Sequence, residues 1–454
     1  MSVPVFNVSG LATGLDWRKM IDELMAVERR PIQALEQRKS RLEAVKKAWS
    51  DLRLALQGVD TRLDPFFVST TFQARVAVSS SETVLKGTAS AGAPMGTYAI
   101  SVQKLAQAQV VASSAQSQGA LGLAGNFTVN GQTISVVTTD TVATIRDKIN
   151  STPNVGVTAS VVDTVVSGVT KSILVLKSNT TGTAGAMTLT EDSSQVLTTL
   201  GVLVNGSPNV QVAAQDAEFT VDGVAVTSGS NTVTTAVPGV TLELKGAGSA
   251  TLEVKADLDT MVGKVRDFVN AYNDALAKLR QYLANQPGMA GPLGGDPTAQ
   301  GIERQLRQLV YDAVPGLPGD IDSLYDIGIS TSDRTGALTI DETKLRETLS
   351  SRPDDVATLF YSSDGAIKSV AERLRDAFRL WVQAGTGVVS TRESGLDDQI
   401  RAMADRMEVL EDRLKLREKR LLEHFVNLER SLAVLQSQAA WLEQRLAALQ
   451  PTPR

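Results

Sequence analysis

The sequence has no cysteine and a single histidine in 454 residues. The first absence removes disulfides, thiol catalysis and thiolate metal sites together. It leaves the redox compartment open, and an exported chain without disulfides must draw its stability from packing or assembly. The lone histidine, His424, sits beside Phe425 in a charged stretch near the chain end. There it reads as a structural residue, not as part of a Ser/His/Asp triad or a zinc site. No apolar run approaches the roughly eighteen residues that a membrane span needs. Arg18, Lys19, Asp22 and Glu23 interrupt the only N-terminal candidate for a secretory signal. These features predict a cytosolic protein, or one exported without a cleaved signal. A net charge of −5 supplies no basic field to recruit phosphates, which argues against nucleic acid.

The chemical motifs are missing too. No EF-hand loop and no GxxxxGK[ST] loop is present. Asp320 with Asp322, and Asp354 with Asp355, read as caps and turn residues. Gly182-Thr183-Ala184-Gly185 and the glycines from Gly291 to Gly295 lack the strand–loop–helix context with lysine that phosphate binding requires. The basic cluster Arg413, Lys415, Arg417, Lys419 and Arg420 reads as a solvated helix face, partly offset by Glu411, Asp412 and Glu418. No residue is nominated as catalytic, cofactor-binding or metal-binding.

What the chain does have is leucine at heptad spacing near both ends. Ile400, Met407, Leu414, Leu421, Leu428, Leu435, Leu442 and Leu449 fall seven apart, as do Leu35, Leu42, Trp49, Leu56 and Leu63. Such a stripe must be buried against another helix. The N-terminal seam is completed by Val45, Leu52 and Val59. The C-terminal seam is longer and changes partner spacing between Leu410 and Leu421, a stutter that should locally unwind a supercoil. An intramolecular hairpin is one reading. The unequal lengths favour the other, assembly between chains.

Residues 1–16 read as a flexible arm. Asp16 is placed to cap a helix ending near Glu28, and Pro31 to open a second ending near Leu63. Between Gly87 and Lys255 charge falls to roughly one residue in ten, against about one in three in the last helix, and β-branched residues dominate. Phe127-Thr128-Val129-Asn130-Gly131 recurs as Phe219-Thr220-Val221-Asp222-Gly223, predicting two hairpins with type I′ turns. A short helix is predicted over 141–150. Helices are predicted from 257 to beyond Leu279, then over 298–312, 341–350, 353–361 and 365–383, with a hairpin around Gly336. The Gly/Ser/Thr-rich stretch 384–395 reads as a linker, and the last helix as running from Leu396 to about Leu449.

In this order the motifs resemble the bacterial flagellar filament-capping family, the flagellar hook-associated protein 2 family. The carriers at the N-terminal side are Gly10-Leu11-Ala12-Thr13-Gly14-Leu15-Asp16, Glu28-Arg29-Arg30-Pro31 and Gly96-Thr97-Tyr98 through Gln107. The segment from Asn126 to Asn150, with Ser178-Asn179-Thr180-Thr181-Gly182, is similar to a hairpin-and-helix motif shared with flagellin outer domains. Further carriers are Asn231-Thr232-Val233, Pro238 to Leu242, Phe268-Val269-Asn270-Ala271-Tyr272-Asn273, Gly328-Ile329, Gly336 to Asp341, and Leu435-Gln436-Ser437-Gln438. Each is weak singly, but their order and spacing over most of the chain are specific.

The resemblance implies an α+β multidomain fold: terminal coiled-coil-like helices, a helical bundle domain, and β-rich inserted outer domains. The implied division is 1–42 with 396–454 for the terminal helices, and 43–75 with 257–395 for the bundle. An inner β domain takes 76–115 with 209–256, and an outer β domain takes 116–208. It implies a non-enzymatic cap at the filament tip, a homo-oligomeric, pentamer-like ring beneath which exported flagellin folds and inserts. The implied partners are sister copies, flagellin, an export chaperone and the type III export apparatus, with neither nucleic acid nor membrane. Export would use no cleaved signal and would place the chain outside the cell. No cofactor is implied. Leu11, Leu15, Leu35, Leu42, Trp49, Leu421, Phe425, Leu428, Leu435, Leu442 and Leu449 are the expected self-assembly and filament contacts. The alternatives are a surface adhesin acting through the outer β domains and a hook–filament junction protein.

Overall fold

The computed structural model describes residues 16–68, 70–286, 289–332 and 335–447. The expected N-terminal arm, with Leu11 and Leu15, and the last heptad residue, Leu449, lie outside the described residues. The chain divides into a mainly helical unit (1–67, 264–345 and 355–454) and a mainly β unit (68–263 and 346–354).

In the helical unit, α1 (Trp17–Glu28) starts where expected, with the Asp16 carboxylate accepting from the Lys19 N–H at 3.1 Å. α2 (Arg30–Leu63) has proline in its first turn, where no N–H is missed. Its buried face deepens towards the C-terminal end: Leu52, Leu56, Val59 and Leu63 are fully covered. Directly beyond, Phe66 stacks on Phe360 with ring centroids 4.3 Å apart and meets Phe268 edge-on at 6.0 Å.

The β unit contributes α3 (Val142–Ser151) and α4 (Val196–Leu200). α5 (Leu258–Leu283) then carries Val265, Phe268, Tyr272, Leu276 and Leu279 on one covered stripe. Its Asn273 side-chain amide grips the hairpin Ile329–Ser332/Ala337–Ile340, donating to Leu338 O and accepting from Leu338 N–H, both at 2.8 Å. α6 (Pro297–Tyr311) is capped by Asp296, which accepts from Thr298 N–H and Ala299 N–H. α7 (Glu342–Ser351), α8 (Pro353–Phe360) and α9 (Val370–Val382) follow. The expected helix over 365–383 thus begins later, at Val370.

The expected linker 384–395 keeps its turn over 384–387, but from 388 on it is helix. α10 runs unbroken from Val388 to Ala447. Glycine, serine and threonine have low helix propensity, but tertiary packing overrides it here. Val389 is fully buried, Leu396 nearly so, and Glu393 pairs with Arg53 of α2 at 3.2 Å.

The β unit holds two hydrophobic cores. The inner one lies between a five-stranded antiparallel sheet and a three-stranded one. The five-stranded order is 75–79, 248–256, 96–104, 217–221, 224–228, and the three-stranded order is 232–237, 240–244, 85–89. Phe219, Leu242, Leu252 and Leu85 centre it. A Cβ at Gly87 would lie 2.6 Å from Leu252 Cδ1 and 2.9 Å from Ala77 Cβ, so any larger residue there forces this core to shift. The outer core gathers under a four-stranded sheet (210–212, 108–112, 169–181, 157–166), a three-stranded sheet (132–136, 125–129, 189–191), α3 and α4.

Both expected hairpins form. Asn130-Gly131 has φ of 50° and 82°, and Asp222-Gly223 has 52° and 82°, the paired positive values that a type I′ turn demands. The chain then diverges: the first hairpin leads into α3, the second into the strand Thr232–Val237. Inner and outer parts are tied by Gln107 and Gln215, which exchange backbone hydrogen bonds at 2.7 and 3.2 Å. Beside them the Asp216 carboxylate accepts from the Thr183 N–H and hydroxyl, at 2.6 and 2.8 Å.

Asp140 organises the outer core. Its carboxylate accepts from Val137 N–H, the Thr144 hydroxyl and Lys148 Nζ, while Thr141 and Thr144 form a reciprocal capping box on α3. Burial pushes this carboxyl up, but the hydrogen bonds from Lys148, Val137 and Thr144 outweigh it and leave its pKa below the ordinary carboxylate value. A depressed pKa contributes stability above the unfolded value that is lost as pH falls through the folded one. Asp140→Ala should therefore destabilise the outer core by about 2–3 kcal/mol at neutral pH. The deficit should shrink below the ordinary carboxylate range, as read by urea unfolding with hydrogen exchange on α3.

Candidate functional site

Among the described residues no group of three His, Cys, Asp or Glu side chains is placed to hold a metal ion. No helix there is long and apolar enough to cross a membrane. The arrangement with the plainest functional character is the surface made by α1, α2 and α10.

The spacing of Trp17, Ile21 and Met25 puts one side chain per turn on a single face of α1. All three are buried against Leu414, Leu421 and Phe425 of α10. The Trp17 indole stacks on Phe425 with centroids 6.1 Å apart and planes 9° apart. Glu28 accepts from Arg417 Nε at 2.7 Å and closes the other end of the contact. The Trp17 indole N–H is buried and has no acceptor among the described residues. Met20, Leu24 and Val27, on the adjoining face of α1 about a quarter-turn round, are all exposed. This short helix is therefore apolar over two adjoining faces, and the second is exposed.

Further along, α2 and α10 are clamped by Lys46–Asp397 at 2.5 Å and Arg53–Glu393 at 3.2 Å. Leu35 and Leu42 are half-buried. Trp49 is 1 % exposed and belongs wholly to the interior of the helical unit. Leu421 and Phe425 are half-buried against α1. Leu428, Val434, Leu435, Trp441 and Leu442 are exposed, Leu435 at 58 % and Leu442 at 54 %. On this stretch Arg445 lies 4.8 Å over the Trp441 ring.

The expected contact residues thus fall into separate settings. Leu421 and Phe425 pack against α1, Leu35 and Leu42 are half-buried, Trp49 is core, and Leu428, Leu435 and Leu442 are exposed. Heptad spacing alone did not separate these settings, because it defines a stripe and not its partner. It also missed the exposed side of α1 and Trp441. A signal existed for α1: Met20, Leu24 and Val27 lie at three- and four-residue spacing, offset from Trp17, Ile21 and Met25.

The stretch of α10 from Arg413 to His424 presents Arg413, Arg417, Arg420 and His424 along one shallow groove beside Leu416 and Leu421. Arg417 is engaged with Glu28, and Lys415 with Asp412 at 3.0 Å, so two charges of the basic cluster are neutralised locally. What remains is chemically a docking surface, with apolar helix faces and flanking charge.

Comparison with known proteins agrees with this character. The family model described as flagellar hook-associated protein 2 N-terminus matches residues 13–109, and the corresponding C-terminus model matches 214–437. Between the two matched segments lies most of the outer β core. The chain is similar to the A-type flagellar hook-associated protein 2 of Pseudomonas aeruginosa, 27 % identical with 98 % of each chain covered. It is 28 % identical to flagellar hook-associated protein 2 of Escherichia coli K12, over 96 % of this chain and 97 % of that one. Among solved structures, it resembles the flagellar cap protein FliD D1-D2-D3 domains from Escherichia coli. That match has a TM-score of 0.62 and 28 % identity, covering 77 % of this chain and 99 % of that chain.

Proposed function

The chain belongs to the flagellar hook-associated protein 2 family, a structural family of the flagellar cap, and from that premise we propose how it acts. It caps the distal tip of the filament as a homo-oligomeric ring. Exported flagellin subunits fold and insert beneath the ring. The protein reaches the tip through the type III export apparatus, with an export chaperone, and carries no catalytic role.

The observation that carries this reading is the exposed apolar stretch near the end of α10. A helix that exposes Leu428, Leu435, Trp441 and Leu442 in one chain gains free energy only when another subunit covers them. The terminal segments 1–42 and 396–454 are then the filament end of the subunit. Within them Leu11, Leu15, Leu428, Leu435, Leu442 and Leu449 are the residues offered to filament and sister copies. Leu35, Leu42, Leu421 and Phe425 brace the helices that present them. The bundle and the two β domains, with 116–208 outermost, form the body of the ring.

Deletion of the gene tests the reading by electron microscopy of the cell surface and assay of the medium. Short or absent filaments with unpolymerised flagellin outside the cell are expected. Filaments of normal length would overturn the cap assignment.

A further inference from the structure

The outer β core ends in a strand edge that the fold leaves open. Strand Val157–Val166 is the last of its four-stranded sheet and pairs on one side only, with Val169–Thr181. The pairing fixes which of its backbone groups point outward. Asn179 N–H donates to Gly156 O, and the register then matches Ser160 to Val175, Val162 to Ile173 and Thr164 to Lys171. Ser172 and Leu174 bond to the far side, through Gln116 and Ser113. In an antiparallel ladder the alternate residues Ala159, Val161, Asp163 and Val165 must therefore direct their N–H and C=O away from the sheet.

At Ala159 both groups are taken. The Asn150 amide donates to Ala159 O at 2.9 Å, and its oxygen accepts from Ala159 N–H at 2.8 Å. The side chain imitates a neighbouring strand for one residue. Past that point the outward groups of Val161, Asp163 and Val165 have no partner among the described residues. Proteins usually blunt such an edge with proline, lysine, a bulge or a very short strand. This strand has ten residues, no proline, no lysine and an unshifted register, and Val162, Val165, Val166 and Val169 are exposed around it.

We propose that this edge is a docking site for an extended segment of another protein, taken up as an added antiparallel strand with the pattern apolar–any–basic–any–apolar. The unpaired backbone groups specify an extended occupant, since only a strand can meet three alternate N–H and C=O pairs. The side chains specify the pattern. Outward-bonding residues share one face, so the occupant sets alternate residues opposite Val161, Asp163 and Val165. Asp163 accepts from the Ser172 hydroxyl through one oxygen, at 2.6 Å, and its exposed carboxylate selects a lysine or arginine. Two valines select apolar neighbours. A second copy of this chain fits badly: centred pairing sets Asp163 against Asp163, and a shift towards Ala159 meets the Asn150 cap. The inference goes beyond the cap reading and does not depend on it.

The test is amide hydrogen exchange on the full chain, with the peptide acetyl-Thr-Val-Thr-Lys-Thr-Val-Thr-amide as probe and its Lys-to-Glu counterpart as control. Exchange at Val161, Asp163 and Val165 should slow by about tenfold with the lysine peptide and far less with the control. D163K should reverse that preference. V165P should abolish protection yet fold, because the N–H it removes points out of the sheet. No slowing at saturating peptide would overturn the proposal. So would equal slowing by both peptides, or protection that rises with protein concentration alone, which would assign the edge to a second copy.

Discussion

Aspartate at both Leu435 and Leu442 is expected to stop assembly and motility while the rest of the molecule stays folded. Both leucines are more than half exposed in the single chain, so little buried apolar surface is lost within it. In an assembly they would be covered. Full burial of a leucine is worth about 1.5–3 kcal/mol, and a buried carboxylate adds a desolvation cost. Two such changes remove at least about 3 kcal/mol of association, more than two orders of magnitude in affinity. Light scattering of the purified protein and swimming assays read the assembly. Thermal unfolding followed by hydrogen exchange over α5 and the inner sheet reads the fold. Loss of the whole fold would mean that the end of α10 is held inside its own chain, and the cap reading would lose its main support.

The largest effect on stability is expected at Phe66. Its ring lies flat on Phe360 at 4.3 Å and takes Phe268 edge-on at 6.0 Å, tying the end of α2 to α8 and α5. All three rings are essentially fully buried. Phe66→Ala leaves a cavity between three elements that cannot all close on it. The expected cost is about 3–5 kcal/mol in the helical unit, from lost transfer free energy plus the unfilled volume. Denaturant unfolding with exchange on α5 amides measures it. Leu428→Ala is the contrasting control: its side chain is exposed, so it should cost under about 0.5 kcal/mol in the single chain.

Much of this architecture could be read locally. The Asp16 cap, Pro31 at the head of α2, the Asn130-Gly131 and Asp222-Gly223 turns and the stripe on α5 each depend on neighbours within a few residues, so composition and period were enough. The first turns of α10, 388–395, were not legible. Their residues disfavour a helix, and what makes them one is burial of Val389 and the Arg53–Glu393 pair, partners more than three hundred residues apart in sequence. The free edge at Val161 to Val165 was equally hidden. Nothing in Val-Val-Asp-Thr-Val says that Asn150 will occupy Ala159 and nothing will occupy the rest.

By itself the sequence determined that this is a multidomain α+β chain with helical ends and a charge-poor β middle. It lacks thiols and has only one imidazole with which to do chemistry. Those are consequences of residue type and period, and they hold whatever the chain packs against. Tertiary structure alone decided which heptad leucines are spent inside the molecule and which are left over. Spacing makes Trp49 and Leu435 equivalent, but the first is buried and the second is exposed. The hydrophobic effect rewards covered surface and not periodicity, so the exposed end of α10 could be found only once every other helix had its place.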